Sequence, residues 1–436
     1  MSSDGAGSSG GSIKAAVIGG GSTYTPELIE GVARRADRLP IDELCLMDID
    51  ADRLAVVGGL ADRIMARLGW RGRVTTTTAT EEAIDGAGFV LVQLRVGGQQ
   101  ARLLDETVPV HFGTIGQETT GAGGFAKALR TVPVVLELAE QTARRGAGGA
   151  WLIDFTNPVG IVTQALLDEG HRALGLCNVA IGLQRRLAVR FGVEPARVEL
   201  EHVGLNHLSW VRRVKVDGVD RLPELLASFS DELAEEAGGL PVELIRALGA
   251  IPSSYLRYYY CFGDVLREQQ AGQPLRAEEV IDIESQLLEM YRDETLTEKP
   301  ALLENRGGAF YSEAAAQLMA SLHDGAGDVQ VVDVRNDGAL ADLPASAVVE
   351  VPARIDRDGA KPLPLDPLAP DMRSLVQHVK GYEQLCVEAA MGGDREVALR
   401  ALLANPLVGS YDIAAPLLDE LLTINAQHLP RFAGGR

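Results

Sequence analysis

A chain of 436 residues, 46% hydrophobic and 23% charged, is long enough for two or three domains with a sizeable core, at roughly 100–200 residues per domain. Its formal net charge of −20 argues against nucleic acid and anionic membranes as partners, and an anionic substrate needs a local basic pocket. Cys45, Cys177, Cys261 and Cys386 form no CxxC pair, and no apolar run approaches the roughly 18 residues of a membrane helix, which suits a cytoplasmic chain.

The first twelve residues, 1–12, are rich in Gly and Ser, lack the pattern of a signal peptide and read as a disordered tail. Lys14–Ile18 reads as a short buried strand and Gly19-Gly20-Gly21-Ser22 as a tight turn. Pro26 suits the first turn of a helix whose apolar face is Leu28, Ile29 and Val32. Leu44–Met47 is a second strand, closed by Asp48-Ile49-Asp50, and a helix from about Asp52 to Leu68 follows. Val74–Thr78 and Phe89–Gln93 are further strands. This alternation predicts a parallel sheet covered on both faces. Trp151–Phe155 is another strand, ended by Thr156-Asn157-Pro158, and Ala173–Leu176 leads to Cys177 at a strand end.

Near Gly192 the pattern changes. The expected organisation is a Rossmann-type doubly wound parallel sheet over 13–192, then a mixed α+β substrate-binding and oligomerisation domain over 193–436. In the second part His207–Val216 alternates partly and ends in Asp217-Gly218, a turn signal. Helices are expected near 223–237, 277–291, 313–321 and 372–390, and strands at 329–334 and 347–351.

The turn Gly19-x-Gly21 follows a strand and opens a helix, with Tyr24 where the usual third glycine would stand. Gly19 allows the sharp turn, Gly21 lets the backbone approach a pyrophosphate, and Ser22 leads to the helix N-terminus. An ordinary βα turn would look similar, but Asp48 at the second strand end can bind the ribose hydroxyls of NAD and repel the 2′-phosphate of NADP. Asp50 is the alternative.

Cys177 and His207 are each, taken alone, ordinary core residues. Together they are two ligands that leave a metal several open positions, which suits a catalytic ion completed by water and substrate hydroxyls. His202 lies five positions before His207 and forms no HxxxH-type zinc pattern. The tyrosines of Pro252–Tyr260 form either a packed helix face or supply a general base, if cationic charge lowers a phenol's pKa. Gly113–Gly124 is too glycine-rich for a helix or strand interior and reads as a flexible surface loop, though Gln117-Glu118-Thr119 give it groups that can line a site. Arg102 and Arg276 can each neutralise a phosphate, or be solvated surface charges.

Seven ordered motifs then resemble the family 4 glycosidases, and within them the 6-phospho-β-glucosidases. They are VIGGGSTYTPEL at Val17–Leu28, MDID at Met47–Asp50, IGQETTGAGGF at Ile115–Phe125, FTNP at Phe155–Pro158, GLCNVAIG at Gly175–Gly182, GLNHLSW at Gly204–Trp210 and YLRYYY at Tyr255–Tyr260. The resemblance implies a malate/lactate dehydrogenase-like fold and a homodimer or homotetramer. It also implies a glycosidase chemistry that departs from the usual carboxylate pair. NAD oxidises C3 of the sugar, a base removes the C2 proton, the aglycone leaves by elimination, water adds, and the hydride returns. By the same resemblance Cys177 and His207 hold Mn²⁺ or another divalent metal, Tyr255 is the base (with Tyr258 close enough to be confused with it) and Glu118 raises its basicity. Arg102, Asn157, Asn178 and Arg276 contact the phosphorylated glycoside. Asn178 stands where α-specific members carry an Asp acid, which favours a β-linked substrate. The rival readings are a malate-type NAD-dependent dehydrogenase, a family 4 enzyme acting on an α-linked or unphosphorylated sugar, and a non-catalytic NAD-binding regulator.

Overall fold

Six strands in the first half build a parallel sheet. In the computed structural model, which describes residues 13–307 and 310–433, they are β1 (Ile13–Ile18), β2 (Ile41–Met47), β3 (Arg73–Thr77), β4 (Phe89–Val92), β5 (Trp151–Asp154) and β6 (Ala173–Gly175). The tail at 1–12 lies outside the described residues. All four residues of β4 and of β5 are buried, as strands covered by helices on both faces must be. The order β3-β2-β1-β4-β5-β6 reverses direction between β1 and β4. That switch point opens a crevice beyond the carboxyl ends of the strands, where Gly19 and Gln93 meet: the Gln93 amide donates to Gly19 O at 3.1 Å.

Beyond β6 the chain first builds a second, antiparallel sheet. It comprises β7 (Val198–Leu205), β8 (Leu208–Val216), β9 (Val219–Asp220) and β10 (Ile251–Pro252). Then β11 (Val329–Arg335), β12 (Val348–Asp356) and β13 (Gly359–Pro362) return to the first sheet. Asp333 pairs with Gly175, so β11 continues the parallel sheet antiparallel to β6, and nine strands result. Gly192 closes the helix Asn178–Phe191 in a left-handed conformation, φ 62°. Among the described residues no helix is long and apolar enough to cross a membrane.

Two sequence expectations change. The helix near 223–237 is two helices, Leu222–Ser228 and Ser230–Glu236, joined at the non-helical Phe229. The glycine-rich segment is not a surface loop. Gly121–Gly124 open the buried helix Gly121–Arg145. A Cβ on Gly123 would sit 2.3 Å from Gln117 O, and one on Gly124 would sit 2.4 Å from the Thr119 carbonyl carbon. These glycines serve close backbone packing, not flexibility.

Candidate active site

A cleft of about 1380 Å³ runs along the carboxyl edge of the parallel sheet, from Gly19, Ser22 and Asp48 to Tyr255, Tyr258 and Arg276. At its first end the glycine turn is held to β2. Gly19 N–H and Gly20 N–H donate to Met47 O at 2.9 and 2.7 Å. Asp48 Oδ2 accepts the Gly21 N–H at 2.9 Å, and its Oδ1 accepts the Asp50 N–H at 3.0 Å. A Cβ on Gly21 would lie 2.8 Å from Asp48 Oδ2, so the second glycine is required by the carboxylate beside it. The Asp50 carboxylate caps the next helix by accepting the Arg53 N–H at 3.0 Å, which leaves Asp48 as the acceptor suited to a ribose. We expect Asp48→Ala to weaken NAD binding by about 10–100-fold, the worth of charge-assisted hydrogen bonds, and to narrow the preference over NADP. Titration of both dinucleotides by fluorescence measures this.

The far end is built by elements from both halves of the chain. Cys177 follows β6 and precedes the helix Asn178–Phe191, with 5% of its surface exposed. His207 lies in the Asn206-His207 turn between β7 and β8, at φ 61°. The Asn206 amide donates to Glu350 Oε2 at 2.9 Å and anchors that turn on β12. Gly204 precedes it at φ 135°, where a Cβ would sit 2.2 Å from Leu208 O. Gly204→Ala is therefore expected to destabilise the fold by about 1–3 kcal/mol, read from urea unfolding.

Tyr255 lies in a short 3₁₀ turn after β10, tied to β8 by Ser253 N–H donating to Ser209 O at 2.9 Å. Its ring stacks on the His207 imidazole, with centroids 3.8 Å apart and planes 5° from parallel. The Tyr258 ring is 6.2 Å from that of Tyr255, and the charges around it are those of Glu106, Arg257, Arg102 and Glu118. Tyr255, not Tyr258, is thus the phenol beside both Cys177 and His207. Cys177 and His207 do not line the open cleft; they sit behind Tyr255 and Asn178, which do.

Burial pushes the His207 pKa down to about 4, so its imidazole is neutral with a lone pair to give. Burial, together with the charges of Glu350 and Asp333, pushes the Cys177 thiol up. Burial pushes the Tyr255 phenol up as well, reinforced by Cys177, Tyr258 and Glu118. The Thr119 hydrogen bond offsets part of this rise, and a cation bound nearby would lower the phenol further. Among the described residues no three His, Cys, Asp or Glu side chains are grouped so as to hold a metal.

Glu118 is the electrostatic centre of the cleft wall. It pairs with Arg95, with Lys127 Nζ at 2.6 Å and with Arg102 Nε at 3.3 Å. Burial would raise its pKa, but these cations hold it well below the usual carboxylate range. Lys127, itself buried and facing Arg95, is pushed down to about 7. Arg102 is buried and also donates to Glu106 Oε1 at 2.7 Å. Arg276 lies at the exposed rim, paired with Glu279 at 2.8 Å and donating to Asn305 O at 2.7 Å. Asn157 lines the cleft, and its Oδ1 is buried without a hydrogen-bond partner among the described residues. Arg95 and Lys127 were missed in the sequence. Arg95 follows β4 at the sheet's carboxyl edge, a position where ligands gather; nothing in the pattern around Lys127 marks it.

Comparison with known proteins bears on this geometry. The family model for family 4 glycosyl hydrolases matches residues 14–193, and that for the family 4 glycosyl hydrolase C-terminal domain matches residues 202–408. A probable 6-phospho-beta-glucosidase of Bacillus subtilis (strain 168) is 41% identical over 433 residues, 96% of this chain and 98% of the relative. The 6-phospho-beta glucosidase from Thermotoga maritima, solved with manganese, NAD+ and glucose-6-phosphate, is 35% identical with a TM-score of 0.90, covering 95% of this chain and 99% of its own. A malate dehydrogenase from Cryptosporidium parvum, 15% identical with a TM-score of 0.52 over 87% of this chain and 99% of its own, shares the fold alone. The chain belongs to the family 4 glycosyl hydrolases.

Proposed function

We propose that this chain hydrolyses 6-phospho-β-glucosides in the cytoplasm, using NAD and Mn²⁺ or another divalent metal. One observation carries the reading: a single cleft holds the Gly19–Ser22 turn with Asp48 at one end and Tyr255, stacked on His207, at the other. The residues fit both groups. Gly19 and Ser22 line the first end without bulk, beside the Asp48 carboxylate. Behind the second end stand a neutral imidazole and a thiol, a two-ligand set that leaves a divalent ion open positions. When bound, NAD supplies reversible hydride acceptance and the metal stabilises negative charge on the sugar oxygens.

The chain's own residues divide the remaining work. Tyr255 takes the C2 proton. Its raised pKa makes the phenolate a strong base, formed at neutral pH only with positive charge held at Cys177 and His207. Glu118, kept ionised by its three cations, adds negative charge that raises the proton affinity of Tyr255. Arg102, Asn157, Asn178 and Arg276 line the space for the sugar and its phosphate. Asn178 has no acidic proton to give, which favours a β-linked leaving group. We further propose a homodimer or homotetramer, on the family resemblance, and a division near Gly192. In that division 13–192 carries the cofactor turn, while 193–436 brings His207, Tyr255 and Arg276.

The test is a panel of p-nitrophenyl glycosides, α and β, with and without a 6-phosphate, assayed with NAD, Mn²⁺ and a reductant. Release from the β-linked 6-phosphate alone is the expected result. Net NADH production from a 2-hydroxy acid, without aglycone release from any of them, would overturn the reading.

A further inference from the structure

A lone pair on His207 is useful to a metal only if it sits on the nitrogen that faces the metal. The structure assigns that choice to two residues outside the ligand pair. Gln117 Oε1 accepts the backbone N–H of Thr119 at 2.5 Å and of Thr120 at 2.7 Å. Backbone N–H groups only donate, so the side-chain atom facing them is the amide oxygen. The Thr119 hydroxyl lies 2.8 Å from that same oxygen. An amide oxygen carries no hydrogen, so the hydroxyl must donate to it and its single proton is used. His207 Nδ1 lies 3.1 Å from Thr119 Oγ1, which now has only lone pairs to offer. Nδ1 therefore carries the imidazole proton. The Tyr255 phenol oxygen is a second acceptor for the Thr119 hydroxyl, and a proton given to it rather than to Gln117 still leaves His207 Nδ1 facing a lone pair.

We propose that Gln117 and Thr119 are positioning residues that lock His207 as the Nδ1–H tautomer, so that Nε2 presents its lone pair to the divalent metal. The proposal rests on the reading of His207 as a metal ligand. The surroundings hold the ring in the matching orientation. The imidazole is clamped against Tyr255, its backbone is left-handed in a two-residue turn, and Thr119 and His207 are both buried. The glycines at 123 and 124 let the Gln117–Thr119 segment pack against the following helix. Partners of this kind typically change metal affinity by 10–100-fold when removed.

The experiment uses the full chain labelled with ¹⁵N-histidine and read by long-range ¹H–¹⁵N NMR without metal, His207→Gln identifying the signal. The expected result is a proton on Nδ1 of His207 and none on Nε2. Thr119→Val, which keeps the shape and removes the hydroxyl, is expected to mix the tautomers and weaken Mn²⁺ binding by 10–100-fold, measured calorimetrically. Thr119→Ser is expected to restore both. A proton on Nε2 in the unaltered chain, or an unchanged tautomer in Thr119→Val, overturns the relay. Unchanged Mn²⁺ affinity in His207→Gln overturns the ligand reading beneath it, a distinguishable failure.

Discussion

Replacing Tyr255 by Phe is expected to lower glycosidase turnover by about 10²–10⁴-fold, the usual worth of a positioned general base. Phe keeps the ring that stacks on His207 and removes only the oxygen, so the packing of the turn after β10 persists. NAD affinity is expected to stay within about twofold, because the Asp48 turn occupies the opposite end of the cleft. The decisive measurement is deuterium incorporation at C2 of the sugar in D₂O. Loss of exchange with intact NAD binding supports the assignment. Exchange that continues at the original rate in Tyr255→Phe rules Tyr255 out as the base, and Tyr258→Phe then becomes the variant to measure.

Cys177→Ala is expected to abolish metal-dependent activity and to weaken Mn²⁺ by more than the 10–100-fold typical of outer-shell changes. Among the described residues no carboxylate, thiol or imidazole cluster is available to take over, so His207 would remain as the single protein ligand. The fold should tolerate the change. Cys177 precedes the helix Asn178–Phe191 without a side-chain capping hydrogen bond, and only a small buried sulfur is lost. Unfolding by urea, together with the EPR signal of free Mn²⁺, separates a lost ligand from a lost fold. Full activity of the variant, or of EDTA-treated protein, would count against the metal assignment.

Much of the cofactor end was legible in the chain because its signals are local. An apolar strand, a glycine turn and an acidic strand end fall within Ile13–Asp50, and the structure keeps them together. The far end was legible from residue type only as a candidate ligand pair, Cys177 and His207, and its other assignments came through the resemblance. Cys177, His207 and Tyr255 stand on three separate elements, and neither spacing nor periodicity links them. The ion cluster around Glu118 was illegible for a different reason. A buried lysine such as Lys127 looks in sequence like any helical lysine, and its depressed pKa arises from burial and from Arg95, which are properties of the packed state. The glycine-rich segment misled because glycine serves flexibility and tight packing alike. Only the distance from Gly123 to Gln117 O tells the two apart.

The pairing of β11 with β6 has a consequence for how the chain is made. During synthesis from the N-terminus, β6 and the Cys177 that follows it emerge before their neighbour β11 exists. Until β11 arrives, β6 is an open sheet edge, an unprotected template for pairing with other chains. A fragment stopped at Gly192 is thus expected to stick to itself rather than fold as a soluble nucleotide binder. Cys177 would sit just past that exposed edge until β11 covers it.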